Sequence, residues 1–106
     1  MVKIGDGIMA NVYYLGEIGR VISQTAGVDF TGATAKQVKF VKPSGAILTK
    51  TTSKVFVDDA PSGQIHVLTE SGDLSETGEW LMQAMVTIGS NVLYGSVDSF
   101  IVESTL

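Results

Sequence analysis

Alternation of apolar and mixed positions organises the longest apolar stretch of the chain. From the only tryptophan onward, Trp80, Met82, Ala84, Val86 and Ile88 are all apolar, while Glu79, Leu81, Gln83, Met85 and Thr87 are mixed. A period of two is the signature of a strand with one buried face. The stretch before it is a polar corner. Ser71, Gly72 and Asp73 are turn formers, because Gly reaches positive φ without strain and Asp hydrogen-bonds its own backbone. Ser75-Glu76-Thr77-Gly78 predicts a single helical turn closed by a glycine. A buried Trp opening a central strand makes this segment the expected core of a sandwich.

Other short strands are predicted around it. Asn11 to Leu15 is aromatic and β-branched, and Arg20 to Gln24 follows after a Gly16–Gly19 break. Val28 and Phe30, in the next loop, are placed to tuck beneath it as a plug. Ala33 to Lys42 carries Val38 and Phe40 on one face, and its imperfect alternation at Ala35-Lys36-Gln37 predicts a bulge. Lys42-Pro43-Ser44-Gly45 is a strong turn, with Pro pre-setting φ and Gly accepting positive φ. Ile47–Lys50, Lys54–Asp58 and Gln64–Thr69 continue the series, the last with Ile65 and Val67 inward. Gly89-Ser90-Asn91 turns into Val92–Gly95, and Val97–Val102 ends the series with Phe100 and Val102 inward. Seven to nine short strands, turns every 8–12 residues or so, and no amphipathic helix predict an all-β chain, an antiparallel β-sandwich. Residues 1–106 are read as one domain, with 1–10 a possible arm and 103–106 a short tail.

Composition narrows the chemistry. A length of 106 residues buries a real core without staples, and no run approaches the roughly 18 apolar residues of a membrane helix. Met1 to Asp6 lacks the apolar core of a signal peptide, so export by the general secretory route is not expected. With no cysteine there is neither a disulfide nor a thiolate site. A net charge of -4 and scattered lysines argue against nucleic acid as a main partner.

Four motifs in order carry a resemblance. Gly32-Ala33-Thr34, then Pro43-Ser44-Gly45 after eight residues, then Ser71-Gly72-Asp73-Leu74, then Thr77-Gly78-Glu79-Trp80 running into Gln83-Ala84 resembles the Ig-like N-terminal domain of phage baseplate upper proteins and related small virion proteins. Phe30 stands where Leu is usual, and Ser44 where Asp is usual. The likeness spans about residues 12–103. It implies an Ig-like sandwich, a structural role in a tailed bacteriophage virion (tail, baseplate, neck or head surface), and no catalytic residues. By that resemblance the partners are other virion proteins and further copies of the chain, and the location is the virion, after synthesis in the host cytoplasm. The relatives usually continue into long C-terminal regions, so a small separate virion component is the expectation here.

Candidate chemistry is sparse. His66, the only histidine, lies on the outward parity of its strand and reads as a surface residue. Asp58-Asp59, Glu70 with Asp73, and Glu76 with Glu79 lack calcium-loop spacing; turn chemistry accounts for Asp59 and Asp73. Neither Gly5-Asp6-Gly7 nor Gly16–Gly19 is followed by the residues of a phosphate loop. No enzyme, cofactor or metal is therefore expected. The informative residues are apolar ones on presumed outward positions: Tyr13, Tyr14, Leu81, Met85, Leu93, Tyr94 and Ile101. These are the candidate interface. A carbohydrate- or host-surface-binding module, stacking sugars on Tyr13, Tyr14 or Tyr94, is the alternative.

Overall fold

The computed structural model describes residues 2–4, 8–10 and 12–106, with side chains from residue 12 onward. The arm expected over residues 1–10 therefore lies partly outside the described residues. What is described there is a ribbon of β1 (Val2–Ile4) antiparallel to β2 (Ile8–Ala10).

The rest is all-β, and two sheets enclose the core. One has the order β3 (Val12–Tyr14), β10 (Asn91–Glu103), β9 (Gly78–Ile88), β5 (Ala35–Val41), β6 (Ile47–Lys50). The other has β4 (Val21–Thr25), β8 (Gln64–Leu68), β7 (Val55–Asp59), with a 3-10 turn at Thr52–Lys54 leading into β7. The strands of the two sheets interleave along the chain, with β5–β6 and β9–β10 as hairpins in the larger sheet and β7–β8 in the smaller, so the two sheets pack as a β-sandwich. The expected sandwich is present, and β3 adds a departure. It runs parallel to β10, with Val12, Tyr13 and Tyr14 beside Ile101, Val102 and Glu103, so the larger sheet is mixed.

Alternation explains the core. β9 reads out, in, out, in along its length, and Trp80, Met82, Ala84 and Val86 are all buried. Val38 and Phe40 on β5, Ile65 and Val67 on β8, and Phe100 and Val102 on β10 meet them from neighbouring strands and the opposite sheet. The rings of Tyr13, Phe100, Trp80 and Phe40 form a continuous stack. Tyr13–Phe100 is edge-on at 5.2 Å, Trp80–Phe100 stacked at 5.7 Å and Phe40–Phe100 edge-on at 6.0 Å. Such pairs contribute about 0.5–1.5 kcal/mol each beyond the area they bury. Phe30 is buried, and Val28 packs against the core, as the plug reading expects.

Three of the four motif-bearing turns meet at one end of the sandwich, while Gly32-Ala33-Thr34 lies at the other, where Thr34 donates to the Thr87 carbonyl. Glu76 accepts hydrogen bonds from the Ser44 amide (2.9 Å) and hydroxyl (2.7 Å). Lys42 donates to the Ser75 hydroxyl at 2.6 Å and lies over the Trp80 ring at 5.4 Å. Trp80 Nε1 donates to the Glu76 carbonyl at 3.0 Å, the role a tyrosine plays at this corner of immunoglobulin domains. Behind them the Lys50 ammonium is held between Asp73 (2.6 Å) and Glu70 (2.7 Å), and Asp73 also accepts from the Glu70 amide. Burial pulls the Lys50 ammonium down, but hydrogen bonds to Asp73 and Glu70 outweigh it and leave its pKa raised. Glu70 and Glu76 are held low, chiefly by hydrogen bonds from Lys50 and Ser44 respectively.

Three local expectations are corrected. Ser75–Gly78 forms no helical turn. The carbonyl of Glu76, which such a turn would use internally, is taken by the Trp80 indole, and Gly78 at φ +122 already opens β9. The bulge expected at Ala35–Gln37 is missing, since Ala35, Lys36 and Gln37 pair one-to-one with Thr87, Val86 and Met85. Lys36 keeps the inward parity while only half buried, at the sandwich margin where a lysine stem can lie along apolar surface with its charge in water. Finally, Val92–Gly95 and Val97–Val102 are one strand, β10, and the bulge falls within it, between Tyr94 and Val97.

Candidate assembly face

The outer face of the five-stranded sheet can be read from its register. Cross-strand partners share a face, so each row follows from the pairing. One row runs Ile47, Val41, Leu81, Ser99 across β6, β5, β9 and β10; the next runs Thr49, Lys39, Gln83, Val97. Beyond it lie Gln37, Met85 and Tyr94, then Ala35, Thr87 and Val92. On the other side of the Leu81 row stand Glu79 and Ile101, then Glu103 and Tyr14. Ile47, Val92, Tyr94 and Val97 are each more than half exposed, and Leu81 is 40% exposed. A shallow hollow of about 160 Å³ lies between Lys39, Val41, Leu81 and Val97.

Of the seven candidate residues, five share this face: Tyr14, Leu81, Met85, Tyr94 and Ile101. Two do not. Tyr13 pairs with Val102 and is 4% exposed, its ring on Phe100 with the Arg20 guanidinium 4.9 Å from its centre. Burial raises its phenol pKa, with smaller opposing and reinforcing effects from Arg20 and Glu17. It is a core residue, because β3 joins the sheet with the parity that turns position 13 inward. Leu93 is exposed but pairs with Val86, whose side chain is buried, so it points to the other face.

The bulge sets this parity. Tyr94 and Val97, three apart, both point outward, because the two residues between them interrupt the alternation. Gly95 is buried there, and a side chain on it would come within 2.5 Å of Ala26 Cβ. Gln83 fixes the bulge by donating its amide to the Gly95 carbonyl at 2.9 Å. Val41, Ile47, Val92 and Val97 were not singled out by sequence parity. The signal for Val41 and Ile47 is their equal distance from the Pro43–Gly45 turn, which places them side by side.

The other outer face is different. Across β4, β8 and β7 it carries Val21 beside Leu68, and Ser23 and Phe56 on either side of His66. His66 is outward, as expected. Its Nδ1 is 2.8 Å from the Asp58 carboxylate, and its ring stacks on Phe56 at 5.2 Å. A depression of about 450 Å³ lies between Ile18, Lys54, Phe56, Leu68 and Glu70. Asp59 accepts from the Ser62 hydroxyl, as turn chemistry requires. Among the described residues there is no group of three or more His, Cys, Asp and Glu able to hold a metal ion. No helix there is long and apolar enough to cross a membrane.

The two exposed tyrosines stand too far apart to hold one sugar between them. Tyr14 sits beside Glu103, nine residues along β10 from Tyr94, a separation of about 30 Å at strand rise. Comparison of the chain with protein families, with curated proteins and with solved structures finds no match.

Proposed function

We propose that this chain is a non-catalytic structural module that assembles a tailed bacteriophage virion, as a component of its tail, baseplate, neck or head surface, by burying the outer face of its five-stranded sheet. The observation that carries the reading is the row Ile47, Val41, Leu81 with Val97 and Tyr94 beside it, a contiguous apolar surface most of whose residues are exposed to water. Water-exposed apolar patches of this extent favour association. The order of the four turn motifs supports the phage context; three of them meet at the Trp80 corner, and Gly32-Ala33-Thr34 lies at the other end of the sheet beside Thr87.

The test is genetic. Leu81→Lys, introduced into the phage that encodes the chain, is expected to leave the chain folded but absent from purified particles, as read by immunoblot and immunogold labelling. Particles that carry the variant at the wild-type level would refute assembly through this face. Absence of even the wild-type chain from particles would refute the virion role.

A further inference from the structure

Resting on that reading, we propose that the partner on this face is a second copy of the chain, related by a two-fold axis that lies in the interface along the Ile47–Val41–Leu81 row. A two-fold interface brings a patch against itself, so the patch must be complementary to its own rotated image. Rotation about that row exchanges its two sides. On one side, two residues from Val41, is Lys39; on the other, two residues from Leu81, is Glu79. Both side chains are exposed, and neither joins an ion pair among the described residues.

After the rotation Lys39 of each copy faces the Glu79 side of the other. The offset is one strand spacing, about 4.8 Å, which a lysine stem spans. The same operation lays Val97 against Ile101, which lie on β10 at equal distances either side of Ser99. The apolar row meets itself on the axis. Thus charge meets opposite charge twice and apolar residues meet apolar ones, a match that an arbitrary axis on this face does not give. Strands of 3, 13, 11, 7 and 4 residues, about 4.8 Å apart and rising about 3.3 Å per residue, make a face of roughly 600 Å², at the small end of the interface sizes that hold specific complexes.

Sedimentation equilibrium on the full chain tests this, with near-UV circular dichroism of Trp80 as the control for folding. The wild type is expected to be dimeric at micromolar concentration and Leu81→Lys monomeric. Lys39→Glu and Glu79→Lys alone should each weaken the dimer by at least about tenfold, since each sets like charges together. The double variant K39E/E79K should regain most of that loss. A wild-type chain that stays monomeric, or a double variant no tighter than either single one, overturns the two-fold pairing. Failure here is distinct from failure of the assembly role. A monomeric wild type whose Leu81→Lys variant is still excluded from particles docks on a different virion protein through this face. A Leu81→Lys variant that alters neither oligomer nor particle defeats both.

Discussion

The two ends of the sandwich are closed by different means. At the Trp80 corner, side chains do the closing: Glu76 on the Ser44 turn, Lys42 on Ser75, Lys50 between Asp73 and Glu70. At the far end the backbone does most of it, helped by the Gln24 and Gln83 side-chain amides, which donate to the Ser96 and Gly95 carbonyls. Ala26 donates to the Gly63 carbonyl and accepts from the Ser96 amide, while Phe30 donates to Ala60. Gly63 and Gly95 lie against Val28 and Ala26 so closely that no side chain fits. One end is therefore written in residue types with recognisable chemistry. The other is written mainly in backbone bonds and in glycines whose lack of a side chain is required, and reads on paper as an ordinary glycine-containing loop.

Substitutions can break that contrast in a definite order. Trp80→Ala, which removes the ring shared by the corner and the core, should cost about 3–5 kcal/mol in urea unfolding. Gly63→Ala should follow at about 2–4 kcal/mol. The residue has φ +73, and an added Cβ would fall 2.3 Å from the Val28 carbonyl, so the change strains the backbone as well as the packing. At the corner, Lys50→Met should cost about 2 kcal/mol by leaving Asp73 with a single backbone donor. A Gly63→Ala variant as stable as wild type would mean that the far end gives way easily and that the contrast is false.

Acid sharpens the same comparison more gently. Glu70 and Glu76 have folded pKa values below their ordinary range, so their contributions are present above about pH 4.3 and fade as pH falls through and below it. Lys50, with a raised pKa, contributes up to the ordinary lysine range, and its share is lost only as pH rises through the raised value. Hydrogen exchange followed from neutral pH to about pH 3 should therefore show the Ser44 amide, bonded to Glu76, losing protection first. The Ala26 amide, bonded to a backbone carbonyl, should keep its protection until global unfolding. Glu76→Gln should flatten the pH dependence at Ser44. Equal loss at both amides would count against a locally titrating corner.

This asymmetry also explains how far the sequence could be read. The period of β9, the inward pairs on β5 and β8, the plug residue Phe30 and the Lys42–Gly45 turn follow from alternation and turn chemistry, which are local. The parity of Tyr13 was not local: it depends on β3 docking parallel to β10, a pairing set by the opposite terminus of the sandwich. Leu93 was misread for a related reason. Its face depends on where the alternation slips, and that site is chosen by Gly95 seating on Ala26, about seventy residues earlier in the chain. The shared outer face of Ile47 and Val41 was open to inference from the hairpin alone, yet acquires meaning only once β9 supplies Leu81 beside them.

The slip in β10 gives the strand a property that a regular one lacks. A side chain's destination depends on whether the count of residues from the core is taken before or after Gly95 and Ser96. Deleting one of these two would restore an unbroken beat with Tyr94 and Val97 still outward, at the cost of the Gly95 seat on Ala26 or the Ser96 amide bond to the Ala26 carbonyl. The slip is thus held by what it docks on, Ala26, and not by the parity of the strand on either side. Among descendants of this chain, insertions and deletions should be accepted at the exposed Gly89–Ser90 turn and refused at the slip, even though both are short and contain a glycine.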